Sequence, residues 1–497
     1  MRERIKEAPC AEVIKYLFRP AMDLDLKEHY QFTVDVNKAH VLMLAEEGII
    51  EKNVAKKIIQ VNLEIAKMQA KPKFEIDFNK EDLYFNMEKY LIDQTNMHIG
   101  GQQHTARSRN DMQATIARMH ARRQFFVLSE IFIKMRKTIL AAAKENLDAI
   151  MSGYTHLQPS EPSTLGAYFS AILSALERDY RRFAASYLSL NLCPLGGCAM
   201  ASTSFPINRK TTAKLLGFDA PIASSIDCVA SRDYALEMVS ALAMTANTLS
   251  RLAQDLYIWS TPEYNYIEVN GSVSVCSSIM PQKKNAMTLE HMKGKAAHLE
   301  GFFVSIFSAM KNVAFMHCRD ISSESIRFLW AALDEAEAQM MITIPTIKTL
   351  TVKRDVMLNN AKKNFCAVTE LANYLVIHDH IAFREAHTIV GELVAEMMSK
   401  GKTALDINHD LIEDVSQRLF KHGTKLTNEL IFKALDPTQN VAAKHYEGGS
   451  APKEVKRQLA KLEKVILADE KLLAKRQAKV EASGKLMNSK VKTLLGK

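Results

Sequence analysis

The chain has 497 residues, more than a single hydrophobic core normally organises, so its length predicts two or three domains. Glycine (18) and proline (13) are scarce beside 24 methionines, and 47% of the residues are hydrophobic, which excludes disordered, fibrous and turn-rich β proteins. The net charge of +9 suggests an anionic partner, but +8 of it lies in residues 451–497, and the rest of the chain is almost neutral.

The first part of the chain is rich in helix-forming residues. Residues 27–68 favour helix almost continuously, with a break at Gly48 and a stop at Pro72. A further helical pattern covers residues 82–94. It leads into residues 96–110, a polar stretch with glycines that is typical of a loop.

Five long segments with little glycine or proline follow, and each is predicted to be a helix. A 27-residue helix is about 40 Å long, more than a compact domain needs, so the segments predict an extended bundle. Their broad apolar faces, spaced at three and four residues, favour association with other copies. The segments are 111–148, 163–190, 232–259, 286–311 and 323–344, the last of which Pro345 is expected to stop.

The C-terminal part of the chain has a different pattern. Beyond about Val352 the helical segments are shorter and are separated by glycines and Pro437, which indicates a separate domain. Residues 452–497 are rich in lysine and carry leucines at helical spacing, including Leu459 and Leu473. This pattern is typical of a solvated amphipathic helix. Nucleic-acid binding is the alternative, and it is disfavoured because no aromatic side chain is available there to stack on bases.

The cysteine content and the hydropathy of the chain indicate the cellular compartment in which the protein resides. The seven cysteines are scattered, with no Cys-x-x-Cys pair and no histidine at zinc spacing, so they predict reduced thiols and no metal site. No apolar run reaches the roughly 18 to 20 residues that span a bilayer, and the N-terminus lacks a signal-peptide pattern. We therefore expect a cytoplasmic protein.

Glycine and proline cluster in four polar stretches, where rigid helices would position functional loops. Residues 104–111 combine two arginines, a serine and an asparagine before a helix, which suits a carboxylate or phosphate, or merely a helix cap with solvated arginines. Thr155 and His156 could bind a carboxylate and relay a proton, although a structural histidine explains them equally well. The other two stretches are residues 193–208 and 269–285.

The stretch around Ser277 contains two serines followed by Lys283 and Asn285. A serine loop near a lysine can supply an activated hydroxyl as a base. Ser-x-x-Lys hydrolase chemistry is excluded because Pro281 stands three residues after Ser278. No phosphate-binding loop, dinucleotide fingerprint or His-Glu-x-x-His zinc motif occurs.

Three of these motifs, in order, resemble the argininosuccinate lyase branch of the fumarase/aspartase superfamily. Residues 104–111 resemble the family's HTGRSRND, residues 153–158 its GYTHLQ, and residues 277–285 its SSxMPxKxN. Shorter matches extend the resemblance to about Lys464.

The resemblance implies a mostly α, three-domain protomer. Four such protomers would form a homotetramer with a central 20-helix bundle and active sites shared between three subunits. On this basis the domains are residues 1–107 (N-terminal), 108–351 (central long helices), 352–450 (C-terminal) and a Lys-rich extension, 451–497. The implied reaction is reversible release of fumarate from an N-substituted aspartate, without metal or organic cofactor.

Family analogy also assigns roles to residues. Ser277 would be the base that removes a proton next to a carboxylate, and Lys283 and Asn285 would stabilise the resulting anion. His156, oriented by Glu290, would contact a carboxylate or deliver a proton to the departing nitrogen. The remaining predicted substrate-binding residues are Ser108, Arg109, Asn110, Thr155, Gln158, Arg232 and His317.

The departures from the family pattern cluster on the amine half of the substrate. Where the family carries Tyr, Gln and Lys to contact arginine, this chain has His317, Ser322 and Ser325. The usual Pro-Asp after the third motif is Ala286-Met287. These changes favour a different amine, as in lyases that act on ethylenediamine-N,N′-disuccinate (EDDS), over loss of elimination. A catalytically silent, crystallin-type structural homologue is the alternative.

Overall fold

The computed structural model describes residues 7–69 and 71–497 and is mostly α-helical, as the sequence predicts. The helices of eight or more residues are α1 (Tyr30–Glu46), α2 (Lys52–Met68), α3 (Leu83–Gln94), α4 (Arg109–Glu145), α5 (Leu165–Ala185), α6 (Asp233–Trp259), α7 (Met287–Met310), α8 (Leu329–Lys348), α9 (Arg354–Lys363), α10 (Val368–Asp379), α11 (Phe383–Ser399), α12 (His409–Phe420), α13 (Asn428–Leu435) and α14 (Pro452–Leu495). Shorter helices are Ala11–Val13, Arg19–Leu24, Met97–Gly100, Tyr187–Leu190, Arg209–Leu215, Ser225–Ala230 and Pro437–Ala443.

Within the described residues, eight strands form four two-stranded pairs. Three pairs are antiparallel: β1 with β2, β5 with β8, and β6 with β7; β3 and β4 are parallel. The strands are β1 (Ile150–Thr155), β2 (Gln158–Thr164), β3 (Leu192–Cys193), β4 (Ala220–Pro221), β5 (Ile267–Glu268), β6 (Val275–Cys276), β7 (Lys284–Asn285) and β8 (Thr351–Val352).

Helices α4 to α8 form a long bundle around one apolar core. The longest of these five helices, α4, has 37 residues and is therefore roughly 55 Å long. A second core joins α1, α2 and α3 to the start of α4, and a third lies among α10 to α13. None of the helices in the described part of the chain is long and apolar enough to cross a membrane.

The expectation that Pro345 ends its helix is wrong. Helix α8 continues through Pro345 to Lys348, and Thr349 donates its backbone N–H to the Pro345 carbonyl at 3.1 Å. Proline inside a helix removes one backbone hydrogen bond and costs about 3 kcal/mol. Burial of Ile344 and Ile347 in the bundle core offsets that cost, because both side chains reach the core only if the helix continues.

Residues 153–162, which were expected to form a loop, lie in a β-hairpin. Strands β1 and β2 pair with Thr155 opposite Gln158, so the turn consists of His156 and Leu157. Both turn residues have positive φ, 53° and 59°, as in the two-residue turns that match the twist of a hairpin. The hairpin is hard to predict from the sequence because Pro159 and Pro162 are unfavourable residues in a β-strand.

The C-terminal segment forms a single helix of 44 residues, α14. Its Leu459 and Leu473 are buried in the bundle core, while Met487 and Val491 are buried in the N-terminal core. This helix is therefore packed along one face against both cores and is not solvated on all sides. The domain boundaries at residues 107, 351 and 450 stay a prediction.

Candidate active site

The first motif lies at the N-terminus of α4, where Ser108 is the capping residue. Its Oγ accepts the N–H of Asn110 at 3.3 Å, and its own N–H donates to Oδ1 of Asp111 at 3.1 Å. This capping box satisfies two of the N–H groups that a helix start leaves unpaired. It fixes the orientation of Ser108, Arg109 and Asn110 in the first turn.

Arg109 is held by two carboxylates of its own chain. Its Nη1 donates to Asp82 Oδ2 at 2.9 Å and to Glu81 Oε2 at 3.1 Å, and its guanidinium lies 4.1 Å from the centre of the Phe85 ring. Burial alone would lower the pKa of Arg109, but these two carboxylates raise it above its ordinary value. A substrate carboxylate at Arg109 would therefore share the guanidinium with Asp82 and Glu81.

The 193–208 stretch covers the same helix end through Asp111, a residue that the sequence did not single out. The fully buried Asp111 carboxylate accepts the backbone N–H groups of Gly196 and Cys198 at 2.8 and 2.9 Å. The Asn110 amide donates to the Ala199 carbonyl at 3.1 Å. Burial raises the pKa of Asp111 to about 6, despite these hydrogen bonds.

His317 and Arg232 lie at this same end of the bundle. Burial, together with the positive charges of Arg232, Arg319 and Arg109, lowers the pKa of His317 to about 4. The Nδ1 of His317 is buried without a hydrogen-bond partner, as is the Oγ of Ser322. Arg232 is itself buried and donates to the Ser231 carbonyl at 2.6 Å. This end therefore combines positive charge with polar atoms that lack a partner.

The second motif lies at the turn of the β1–β2 hairpin, beyond the far end of α4. Thr155, His156 and Gln158 are all exposed there. The hairpin stem is anchored by Tyr154, whose hydroxyl lies 2.6 Å from that of Tyr266. These side chains therefore project from a fixed hairpin into solvent, available to a ligand or to another subunit.

The third motif forms a loop between β6 and β7, next to the hairpin. The Oγ of Ser277 accepts the backbone N–H groups of Met280 at 3.0 Å and Ile279 at 3.3 Å. The Lys283 carbonyl accepts the Ser277 N–H at 3.3 Å and so closes the loop. Two N–H donors on one hydroxyl oxygen stabilise negative charge on that oxygen, which is what a serine base requires.

Glu290 lies in the first turn of α7, and its partner within the chain is Tyr257. The Tyr257 hydroxyl donates to Glu290 Oε1 at 3.1 Å, and this hydrogen bond raises the pKa of Tyr257. Sequence reasoning missed Tyr257 because it belongs to no motif. The expected contact between Glu290 and His156 stays a prediction.

The three motifs occupy two opposite ends of the protomer. Helix α4 begins at the first motif and ends just before the hairpin, so its length separates them by roughly 55 Å. The Ser277 loop lies at the hairpin end, where Lys284 pairs with Glu268 at 2.7 Å beside Tyr266. Within one chain, the first motif therefore does not meet the other two.

A metal centre is not apparent at either end. Within residues 7–69 and 71–497, no group of three or more His, Cys, Asp and Glu side chains is arranged to hold a metal ion. Apart from Asp111, whose carboxylate is occupied by backbone N–H groups, the polar groups gathered in the motifs are hydroxyls, amides, imidazoles and cations. This donor set suits an anionic organic ligand.

Comparison with known proteins identifies the family to which these motifs belong. A model of the family described as Lyase matches residues 22–301, and one described as Argininosuccinate lyase C-terminal matches residues 365–442. Argininosuccinate lyase 1 of Shouchella clausii (strain KSM-K16) is 45% identical over 483 residues, 97% of each chain.

Two solved structures are similar to the whole chain. EDDS lyase in complex with formate superposes with a TM-score of 0.87 and 29% identity, over 99% of this chain and 97% of that one. A fumarate lyase from Mesorhizobium sp. BNC1 has a TM-score of 0.68 and 18% identity over 88% of this chain and 96% of that one, a likeness of fold alone. The match to the Shouchella relative covers 97% of this chain. It therefore extends past Lys464, where the resemblance was expected to end.

Proposed function

The chain belongs to the argininosuccinate lyase branch of the fumarate lyase superfamily, and on that premise we propose that it releases fumarate reversibly from an N-substituted L-aspartate. Membership makes it a carbon–nitrogen lyase. In the elimination, a C–H bond next to a carboxylate breaks, its electron pair forms the C=C bond, and the C–N bond breaks. The proton balance closes when the departing nitrogen is protonated, and no oxidant or reductant is needed.

Ser277 is the proposed base, and one observation carries this assignment: its Oγ accepts two backbone N–H groups. Proton removal creates a dianionic aci-carboxylate, so the site must supply positive charge and N–H donors around that group. Lys283 on the same loop and Asn285 in the following strand β7 have the charge and the amide for this role. Exposure of the loop supports closure over the substrate.

The hairpin supplies the proposed proton donor. His156 would protonate the departing nitrogen or contact a carboxylate, with Glu290 orienting its ring, while Thr155 and Gln158 bind the succinyl group. The fixed hairpin turn supports this assignment because Thr155 and Gln158, which flank the turn of His156 and Leu157, pair across β1 and β2. At the first motif, Ser108, Arg109 and Asn110 would bind the other carboxylate beside the N-terminus of α4.

The complete site requires several subunits, and a homotetramer with sites shared between three of them is part of the proposal. The separation of the motifs by the length of α4 supports it. Helix α7 also has an apolar exposed face: Val304 is 53% and Phe307 51% exposed. A cytoplasmic location is supported by the seven free thiols in the described residues.

Argininosuccinate is the first candidate substrate because the Shouchella relative at 45% identity is named an argininosuccinate lyase. An aminopolycarboxylate such as EDDS is the second, and the His317 region favours it. The end of the bundle that contains His317 is positively charged, and a neutral His317 stands there in place of the family's tyrosine. These features suit an amine that carries a carboxylate better than an amine that carries a guanidinium.

A substrate panel tests the proposal. The purified protein should release fumarate, followed by ultraviolet absorbance, from argininosuccinate or EDDS and not from adenylosuccinate. Ser277→Ala should lower kcat by a factor of about 100 or more, the usual contribution of a positioned base, whereas Ser278→Ala should retain most activity. If the assembled protein releases no fumarate from any of the three, the crystallin-type alternative replaces the enzyme.

A further inference from the structure

A cavity of about 880 Å³ lies behind the stem of the β1–β2 hairpin. Its walls come from the hairpin, α5, the end of α6 and the loop before α14. The hairpin contributes its stem residues Met151 and Thr164 as well as His156 at the rim. Ser108, Ser277, Lys283 and His317 do not line it, and of the residues assigned to the elimination only His156 reaches it, at the rim.

Aromatic rings form much of the cavity wall. Tyr168 and Trp259 meet edge to face with their ring centres 4.7 Å apart. On the other side, Tyr154 and Tyr264 lie 5.7 Å apart. All four rings line the cavity. Aromatic faces carry negative charge density and attract organic cations, most strongly when water is excluded.

Asp255 places a carboxylate in the same wall. Its Oδ2 accepts the Tyr168 hydroxyl at 2.6 Å, and burial together with this hydrogen bond raises the pKa of Tyr168, which therefore stays a neutral donor. Among the residues that the structure describes, none of the basic side chains lies within ion-pair distance of Asp255. The described lining also contains no lysine or arginine. The cavity lining thus offers Asp255 no counter-ion, although the charge of the exposed Arg251, one helical turn earlier, acts on Tyr168 from outside the lining.

We propose that this cavity binds a small organic cation with a guanidinium head, which would stack on Tyr168 or Trp259 and pair with Asp255. A planar guanidinium fits both partners, since it stacks on aromatic faces and forms forked hydrogen bonds with a carboxylate. The volume exceeds that of the head alone and leaves room for further atoms of the ligand. The inference goes beyond the proposed elimination and does not depend on it.

The protein offers a direct spectroscopic test because it has only two tryptophans. Trp330→Phe leaves Trp259, in the cavity wall, as the single tryptophan. Titration of this full-length variant with N-methylguanidinium, without substrate, should change its tryptophan fluorescence in a saturable manner. N-Methylurea, which has nearly the same shape and no charge, should produce no saturable change.

Two further variants make the result specific. Asp255→Asn in the Trp330→Phe background should weaken binding of N-methylguanidinium at least tenfold, because it removes the charge and keeps the shape. Trp259→Phe, which leaves only Trp330, should show no saturable change. An unchanged Trp259 signal, as expected if a second copy of the chain fills the cavity, overturns the proposal. Equal binding by the Asp255→Asn protein also overturns it. Fumarate release is measured separately, so a failure of guanidinium binding can be distinguished from a failure of the proposed elimination.

Discussion

Nη1 of Arg136, on α4, donates to Oδ2 of Asp469, on α14, at 2.7 Å. The Arg136 side chain is fully buried and Asp469 is 23% exposed, so the pair anchors the C-terminal helix to the bundle core. Arg136 also lies 4.7 Å from the centre of the Tyr180 ring.

Removing the Asp469 carboxylate should destabilise the protein strongly. Asp469→Ala leaves the charge of Arg136 buried without its counter-ion, which should lower the free energy of unfolding by about 3 kcal/mol. Urea denaturation at neutral pH measures this. The matched control is Glu470→Ala, which breaks the exposed pair between Lys137 and Glu470 and should cost less than about 1 kcal/mol. Equal losses in the two variants would contradict a buried anchor.

Stability should fall in mild acid because of His120. This residue is 2% exposed, and burial lowers its pKa to about 2, with smaller effects from the charges of His29, Arg123 and Lys27. Glu28 lies 3.7 Å from Nε2 of His120 and favours its charged form, while Asp25 pairs with the neighbouring His29.

The folded pKa of His120 lies below the unfolded value of about 6.5, so the unfolded chain binds the extra proton first. The stabilising contribution is complete above about pH 6.5 and is lost as the pH falls, by about 1.4 kcal/mol per unit. His120→Gln should therefore lose about 2 kcal/mol less than the parent protein between pH 7 and pH 5. Trp330→Phe, which removes the stacking partner of His120, should lower stability about equally at both pH values.

Mixed oligomers should recover activity that each parent lacks. Asn110→Ala and Ser277→Ala alter opposite ends of the protomer, so a mixed assembly contains some sites with both residues intact. Fumarate release should reappear after the two inactive proteins are dissociated together and reassembled. As a control, Ser277→Ala mixed with Lys283→Ala should stay inactive, because both changes lie in one loop. Recovery in the control mixture would contradict the shared site.

The amine specificity should shift with His317 and Ser322. Replacing them together, His317→Tyr with Ser322→Gln, restores two of the family's arginine-side groups. The ratio of kcat/KM for argininosuccinate to that for EDDS should rise roughly tenfold or more, the effect of about one hydrogen bond. Ser325→Lys is left out because Ser325 is fully buried and donates to the Ile321 carbonyl at 2.7 Å. An unchanged ratio would show that these positions do not read the amine.

Periodicity and motifs were enough to predict the helical class, the long central segments and the family. The bounds of α6 and α7 differ from the predicted segments by a residue or less at each end, since local spacing of apolar side chains defines a helix. The same local rules failed at Pro345 and at the β1–β2 hairpin. At Pro345, burial of neighbouring isoleucines outweighed a local penalty. At the hairpin, pairing between strands replaced a loop.

By itself, the sequence determined which chemical groups are present and which helices carry them, because helical periodicity and motif chemistry are short-range properties. The tertiary structure decided which residues these groups contact. It pairs Glu290 with Tyr257 and gives Arg109 two carboxylates of its own chain. It also turns three acidic residues of α14, namely Glu463, Asp469 and Glu470, toward α4. It also separates the first motif from the other two by the length of one helix. Such relationships depend on packing between residues far apart in the chain, which no local pattern encodes.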